Sequence, residues 1–309
     1  MRTLFDLDIH AQPDDVSCGP TCLHALYNYY GDTGISLAQV MKEITRLHHG
    51  GTLLEVLASH ALKRGYQATI YTFHVQMYDP TWFASDGMAH TPLQIIERLQ
   101  FQVKAKKSDA RLKLATKAAK EFIELGGVLK MEDLTTNLIS RYLLDETPIL
   151  AGLSSTFLYR QQREHGPKSD EDDVLGVPQG HFVMVVGYDS SRREVVIADP
   201  LDPNPPFHTS KYRLPIDRFV NAVLLGILTH DANLLVITPK EEEKDSRGSK
   251  AKEKTPQMRL DNGPVRKKQS SNKPVTNKPV TSMQVTGKPV TNMQATGKQA
   301  TKKNAAKKA

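Results

Sequence analysis

The sequence predicts an α+β fold, with helices gathered toward the start and a mostly antiparallel sheet toward the end. Two patterns carry this. The first part of the chain shows helical punctuation and four-residue apolar spacing, whereas after Pro148 the apolar runs become short, alternating and bounded by turn residues. A third observation is the order itself: helices precede strands, whereas repeating strand–helix units would build a parallel sheet.

The elements follow in chain order. "CGPTCLHALYNYYG" carries Pro20 in a first helical turn and Gly31 beyond the last, with Cys22, Leu26 and Tyr30 on one face. "SLAQ" from Ser36 and "TLLE" from Thr52 read as capping boxes, the second opening a helix that ends at Gly65. "YQATIYTF" then reads as a strand. Further helices are predicted over residues 92–104, 109–125 and 133–144. "PILAGLSS", "HFVMVVGYD", "EVVIADP" and "NLLVITP" read as strands.

Composition bounds the class. A chain of 309 residues, 39% of them hydrophobic, can bury a core without disulfides. Its two cysteines, four positions apart, suit a reducing compartment. The start, "MRTLFDLDIH", carries acids where a secretion signal needs an apolar run. The longest apolar stretch, "FVNAVLLGIL", falls short of the roughly 18 residues of a membrane span. A soluble, cytoplasmic protein with no transmembrane segment is expected.

The net charge of +7 divides unevenly. From Lys240 onward there are 18 Lys+Arg against 6 Asp+Glu, and before it 23 against 28. Six five-residue units, "NKPVT NKPVT SMQVT GKPVT NMQAT GKQAT", occupy residues 272–301 of this basic tail. With few large apolar groups it cannot offset its ordering entropy, so residues 240–309 are predicted disordered and residues 1–239 carry the fold. A solubilising tail is favoured over a tether to nucleic acid or an anionic surface.

The chemistry gathers at "QPDDVSCGPTCL". Cys18 stands at a helix mouth, where unpaired N–H groups and the positive dipole end favour a thiolate. Gly19 removes bulk beside the sulfur so that a substrate backbone could approach, while Cys22, one turn inside, is a packing residue. A cysteine nucleophile needs a base and an oxyanion site. Among 11 histidines, His181 heads a strand that would otherwise be core. If that strand and "EVVIADP" form a hairpin about "DSSRR", Asp199 returns to the level of His181 and can orient its imidazole. Gln12, six residues before Cys18, can supply an oxyanion donor. A lone cysteine at a helix start is more often structural, but the ordered combination favours catalysis over packing.

These residues resemble a known family. "QPDDVSCGPTCL", "GTLLEVLASHALKRGY", "GHFVMVVGYD" and "VVIADP" are similar to papain-like cysteine peptidases related to the bacteriocin-processing, double-glycine-leader peptidases, and most so to their stand-alone relatives. The resemblance spans roughly residues 4–239, with a helical insertion at about residues 75–147. It implies a papain-like fold in which the helix bearing Cys18 packs on an antiparallel sheet bearing His181 and Asp199. By motif position it implies Gln12 as oxyanion donor, Cys18 as nucleophile, His181 as general base and acid, and Asp199 as its orienter. It further implies a peptide or protein substrate, no cofactor, and a peptide-maturation role beside a peptide-modifying ATP-grasp ligase. Membrane spans and a nucleotide-binding loop, usual in transporter-fused leader peptidases, are not seen, so cleavage after a double glycine is not implied.

Other features read more plainly. "KSDEDDVLG" is a solvated acidic loop lacking calcium-loop spacing, and His48-His49 answer a helix end. Two further readings stay open: a transpeptidase or acyltransferase using the same residues, and a non-catalytic peptide-binding module with a basic tether.

Overall fold

The computed structural model describes residues 2–45, 51–106 and 109–240. The repeat tail and the His48-His49 pair lie outside the described residues. In chain order the elements are β1 (Arg2–Leu4), α1 (Cys18–Tyr29), α2 (Leu37–Glu43), α3 (Leu54–Lys63) and β2 (Gln67–Thr72). Next come α4 (Pro92–Ala105), α5 (Ala110–Glu124), β3 (Val128–Lys130), α6 (Thr136–Leu144), β4 (Ile149–Ser154) and α7 (Ser155–Tyr159). The chain continues with β5 (Glu164–His165), β6 (Asp170–Glu171), β7 (Gly180–Asp189), β8 (Glu194–Ala198), β9 (Lys211–Pro215), α8 (Ile216–Leu225) and β10 (Asn233–Thr238).

The fold is α+β. One sheet runs β3-β2-β10-β4-β7-β8-β9, with β1 continuing beside β7, and every pairing is antiparallel except β2 with β3. Its centre reads as near-continuous apolar sequence because β4 and β10 are covered on both faces. Helix α1 packs on β7, and everything from Cys18 to Tyr27 is buried. A helix apolar or small on all sides is one that belongs inside.

Ser36 caps α2, accepting from the Gln39 N–H at 3.2 Å, but the return half of the predicted box is not seen: the Gln39 side chain donates to Glu43. Thr91, Asp109 and Thr135 likewise cap α4, α5 and α6. The Thr52 capping box is not realised: α3 starts at Leu54, and the Thr52 hydroxyl donates to the Thr45 carbonyl at 3.3 Å. Glu55, its supposed partner, turns inward and accepts from the Tyr78 hydroxyl at 3.2 Å. The region between β2 and β4 is mostly helical but also supplies an edge strand, β3, whose three residues are too few for a periodic signal. "FVNAVLLGIL" is α8 and its exit, burying Phe219, Ala222 and Val223.

Candidate active site

Cys18 is the first residue of α1 and is buried. Ser17, at the N-cap, makes no capping bond with its side chain. Its hydroxyl instead donates to the Asp14 carbonyl at 3.0 Å, so this side chain leaves the first-turn N–H groups unspent beside the sulfur. Gly19 has a different reason from the one its sequence suggests. A Cβ there would lie 2.9 Å from Thr52 Cγ2, 3.0 Å from Leu57 Cδ1 and 3.2 Å from the Phe182 ring. The glycine lets α1 approach α3 and β7; it does not open the sulfur to substrate. Cys22 is fully buried, its thiol donating to the Phe182 carbonyl at 3.4 Å, and burial pushes its pKa well up. It packs.

His181 is the second residue of β7 and faces Asp199, just past the end of β8. The hairpin forms as predicted, with Met184 opposite Ala198 and a bulge between Val185 and Gly187. His181 Nε2 donates to Asp199 Oδ1 at 2.8 Å, which leaves Nδ1 uncommitted, and Cys18 lies close enough to act on the imidazole charge. Burial alone would strip the proton from His181. The Asp199 carboxylate and Cys18 outweigh it and push the imidazole pKa up to about 10.

Asp199 is completely buried yet well supplied with donors. Besides His181, Oδ1 accepts the Leu201 N–H at 3.0 Å, while Oδ2 accepts the hydroxyls of Tyr159 at 2.7 Å and Tyr212 at 2.6 Å. Burial favours the protonated acid, but His181 and the two hydroxyls reverse that and hold the carboxyl below its ordinary range. Neither tyrosine was found by sequence reasoning. Tyr212 alternates inward in "KYRLP" like any strand residue, and Tyr159 lies 40 residues from its partner.

Gln12 reaches this end of the molecule through its main chain, its N–H donating to the Pro200 carbonyl at 2.8 Å. Its side-chain Nε2 donates to the Asp14 carbonyl at 3.0 Å, and its Oε1 is buried with no hydrogen-bond partner among the described residues. One amide proton is thus spent and one is unassigned. Cys18, His181 and Asp199 are brought together; Gln12 is tethered beside them with its amide turned toward Asp14. The acidic stretch supplies β6, paired with β5, and the turn after it, where Asp172 accepts the N–H groups of Val174 and Leu175.

Among the described residues no cluster of His, Cys, Asp and Glu could hold a metal, and no helix is long and apolar enough to cross a membrane. No family model and no curated protein matches the chain. Among solved structures it is similar to a C39-like peptidase from Bacillus anthracis, at 13% identity and a TM-score of 0.43 over 78% of this chain and 100% of that one. It is also similar to Xylellain, a cysteine protease from Xylella fastidiosa, at 14% identity and 0.38 over 77% and 86% of the two chains. A third is a double glycine motif protease from an AMS/PCAT transporter, in complex with the leader peptide, at 13% identity and 0.36 over 77% and 95%.

Proposed function

We propose that this chain is a cysteine peptidase that hydrolyses peptide bonds through Cys18, His181 and Asp199, with Gln12 as oxyanion donor. The observation that carries the reading is the arrangement of Cys18 at the mouth of α1, His181 and Asp199, in which a four-fold-bonded buried carboxylate keeps the imidazole protonated. The thiolate attacks the scissile carbonyl carbon, and the developing oxyanion accepts from the Cys18 N–H and the unspent Gln12 amide proton. His181 then gives its proton to the leaving amine. Water adds to the thioester carbonyl as His181 takes its proton, and the tetrahedral intermediate collapses by breaking the C–S bond, which releases the acid and restores the imidazolium–thiolate pair.

The catalytic unit is assigned to residues 1–239, and the basic segment 240–309 is given no part in the chemistry. A peptide-maturation role beside an ATP-grasp ligase rests on the sequence resemblance alone, and contact with nucleic acid or an anionic surface on the tail's charge. A non-catalytic binding module has no use for an imidazolium held between a helix-mouth cysteine and a buried carboxylate. Digestion of a peptide library, read by mass spectrometry beside Cys18→Ala, tests the reading. Cleavage lost in the variant supports it, and ligated products when amines are added point to transpeptidation. Absence of both, with Cys18 free and the protein folded, overturns it.

A further inference from the structure

Cross-strand register sets Thr72, Asn233, Gly152 and Phe182 in one row at the end of the sheet that bears His181. Side chains alternate along a strand, so Gly180 and Phe182 share the face opposite to that of His181. The Phe182 ring on that face meets Gly19, the neighbour of the nucleophile. Asp231, two residues before Asn233, lies over the same face. A Cβ at Gly180 would fall 1.8 Å from Asp231 Oδ2 and 2.8 Å from Thr229 Oγ1. Gly180 itself is exposed. A carboxylate therefore fills the place of a side chain one residue before the general base; Asp231 is half-buried beneath the exposed Gly180.

The Thr229 hydroxyl lies near this carboxylate but donates to the Gly226 carbonyl at 3.1 Å, and no ion pair of the described residues includes Asp231. The charged and titratable groups around it come from several elements. Arg111 of α5 donates to the Thr229 carbonyl at 3.0 Å, Glu55 of α3 adds a second carboxyl, and His181 lies on β7. His230, on its own loop, is held neutral at ordinary pH, its pKa pushed down to about 4 by burial, Arg111 and His74. Burial, the largest influence, pushes the Asp231 carboxyl up to about 7 against the pull of Thr229, Arg111 and His181. A cation beside it would stabilise the charge that burial opposes.

We propose that Asp231 is a specificity-determining residue that recognises a cationic side chain, Lys or Arg, beside the scissile bond of the peptide substrate. The assignment rests on the peptidase reading for its substrate but can be tested without turnover. Cys18 is modified with cationic trimethylammonioethyl methanethiosulfonate and with anionic sulfonatoethyl methanethiosulfonate, and the ratio of the two rate constants is taken. The thiolate fraction cancels in that ratio and the local field does not. Asp231→Asn lowers the cation-to-anion ratio by about 5-fold at low salt, the scale of one charge at cleft distance. In the unsubstituted protein the ratio rises with pH through about 7, as the carboxyl ionises. That measurement needs no variant to fold. A ratio unchanged by Asp231→Asn in a folded protein, or flat across that pH range, overturns the assignment. With peptides, replacing Lys or Arg by Gln beside the cleaved bond costs turnover in the parent and not in Asp231→Asn; equal loss in both also overturns it. If no peptide is cleaved while the ratio still responds, the hydrolase reading fails and the cation-selecting role of Asp231 stands.

Discussion

Two pairs that each contain a buried histidine sit at the same end of the sheet and behave oppositely. His181 and Asp199 meet at 2.8 Å, and so do His74 Nε2 and His230 Nδ1. Burial acts on each imidazole in the same direction, toward the neutral form. In the first pair the partner is a carboxylate, and the imidazole is driven up to about 10. In the second the partner is another imidazole with Arg111 nearby, and His230 is driven down to about 4. Depth in the protein does not make a histidine an acid–base group. The charge of its partner decides it.

The largest break in this comparison comes from removing that charge. Asp199→Asn should lower peptide turnover by about 10⁴, as loss of the orienting carboxylate does in a triad. His74→Gln, outside the site, should leave turnover within a few-fold of the parent. Steady-state kinetics on one peptide substrate checks both, and a mild Asp199→Asn would mean that the carboxylate only packs.

A smaller effect separates activation of the thiol from stabilisation of the oxyanion. Gln12→Ala should lower turnover by about 10²–10³, the cost of one lost donor. Alkylation of Cys18 by iodoacetamide develops no oxyanion and should stay within a few-fold, whereas His181→Ala should slow both reactions. If Gln12→Ala slows alkylation as much as cleavage, Gln12 organises the thiolate or the fold.

Next in size are the tyrosines. Tyr212→Phe removes one of the four bonds to Asp199 and keeps the ring that stacks on Phe207 at 3.7 Å. A hydrogen bond to a charged group is worth about 1.5–3 kcal/mol, so a melting-point loss of several degrees is expected with a roughly 10-fold fall in turnover. Unchanged kinetics would show that Tyr159 and Leu201 suffice.

The smallest effect is a contrast in pH dependence of stability. His230 has a folded pKa below the ordinary value of about 6.5, so folding takes up fewer protons and stability falls from that pH toward about 4. His181 has a raised folded pKa; its contribution is complete below about 6.5 and is lost as pH climbs toward about 10. Asp231, raised to about 7, runs against His230 over part of the acid range, so differences between variant and parent are the quantity to measure. Melting curves of His230→Gln should lose less stability on acidification than the parent; a parallel shift would contradict this.

The sequence by itself determined the α+β order, the entry to α1, the helices at residues 92–104 and 109–125, and the candidates Cys18, His181 and Asp199, which the fold brings together. These are local statements: a cap, a period, or a polar residue interrupting an apolar strand end. Only the tertiary structure decided what each residue touches. It turned Glu55 inward to Tyr78 and away from a cap, gave Gly19 a packing reason, and turned the Gln12 amide to Asp14. It also supplied Tyr159 and Tyr212 to Asp199 and laid Asp231 over Gly180. Those partners come from separate elements and join only when the sheet register brings strand ends level. Hydrogen bonds and desolvation depend on distance in space, which no spacing along the chain encodes.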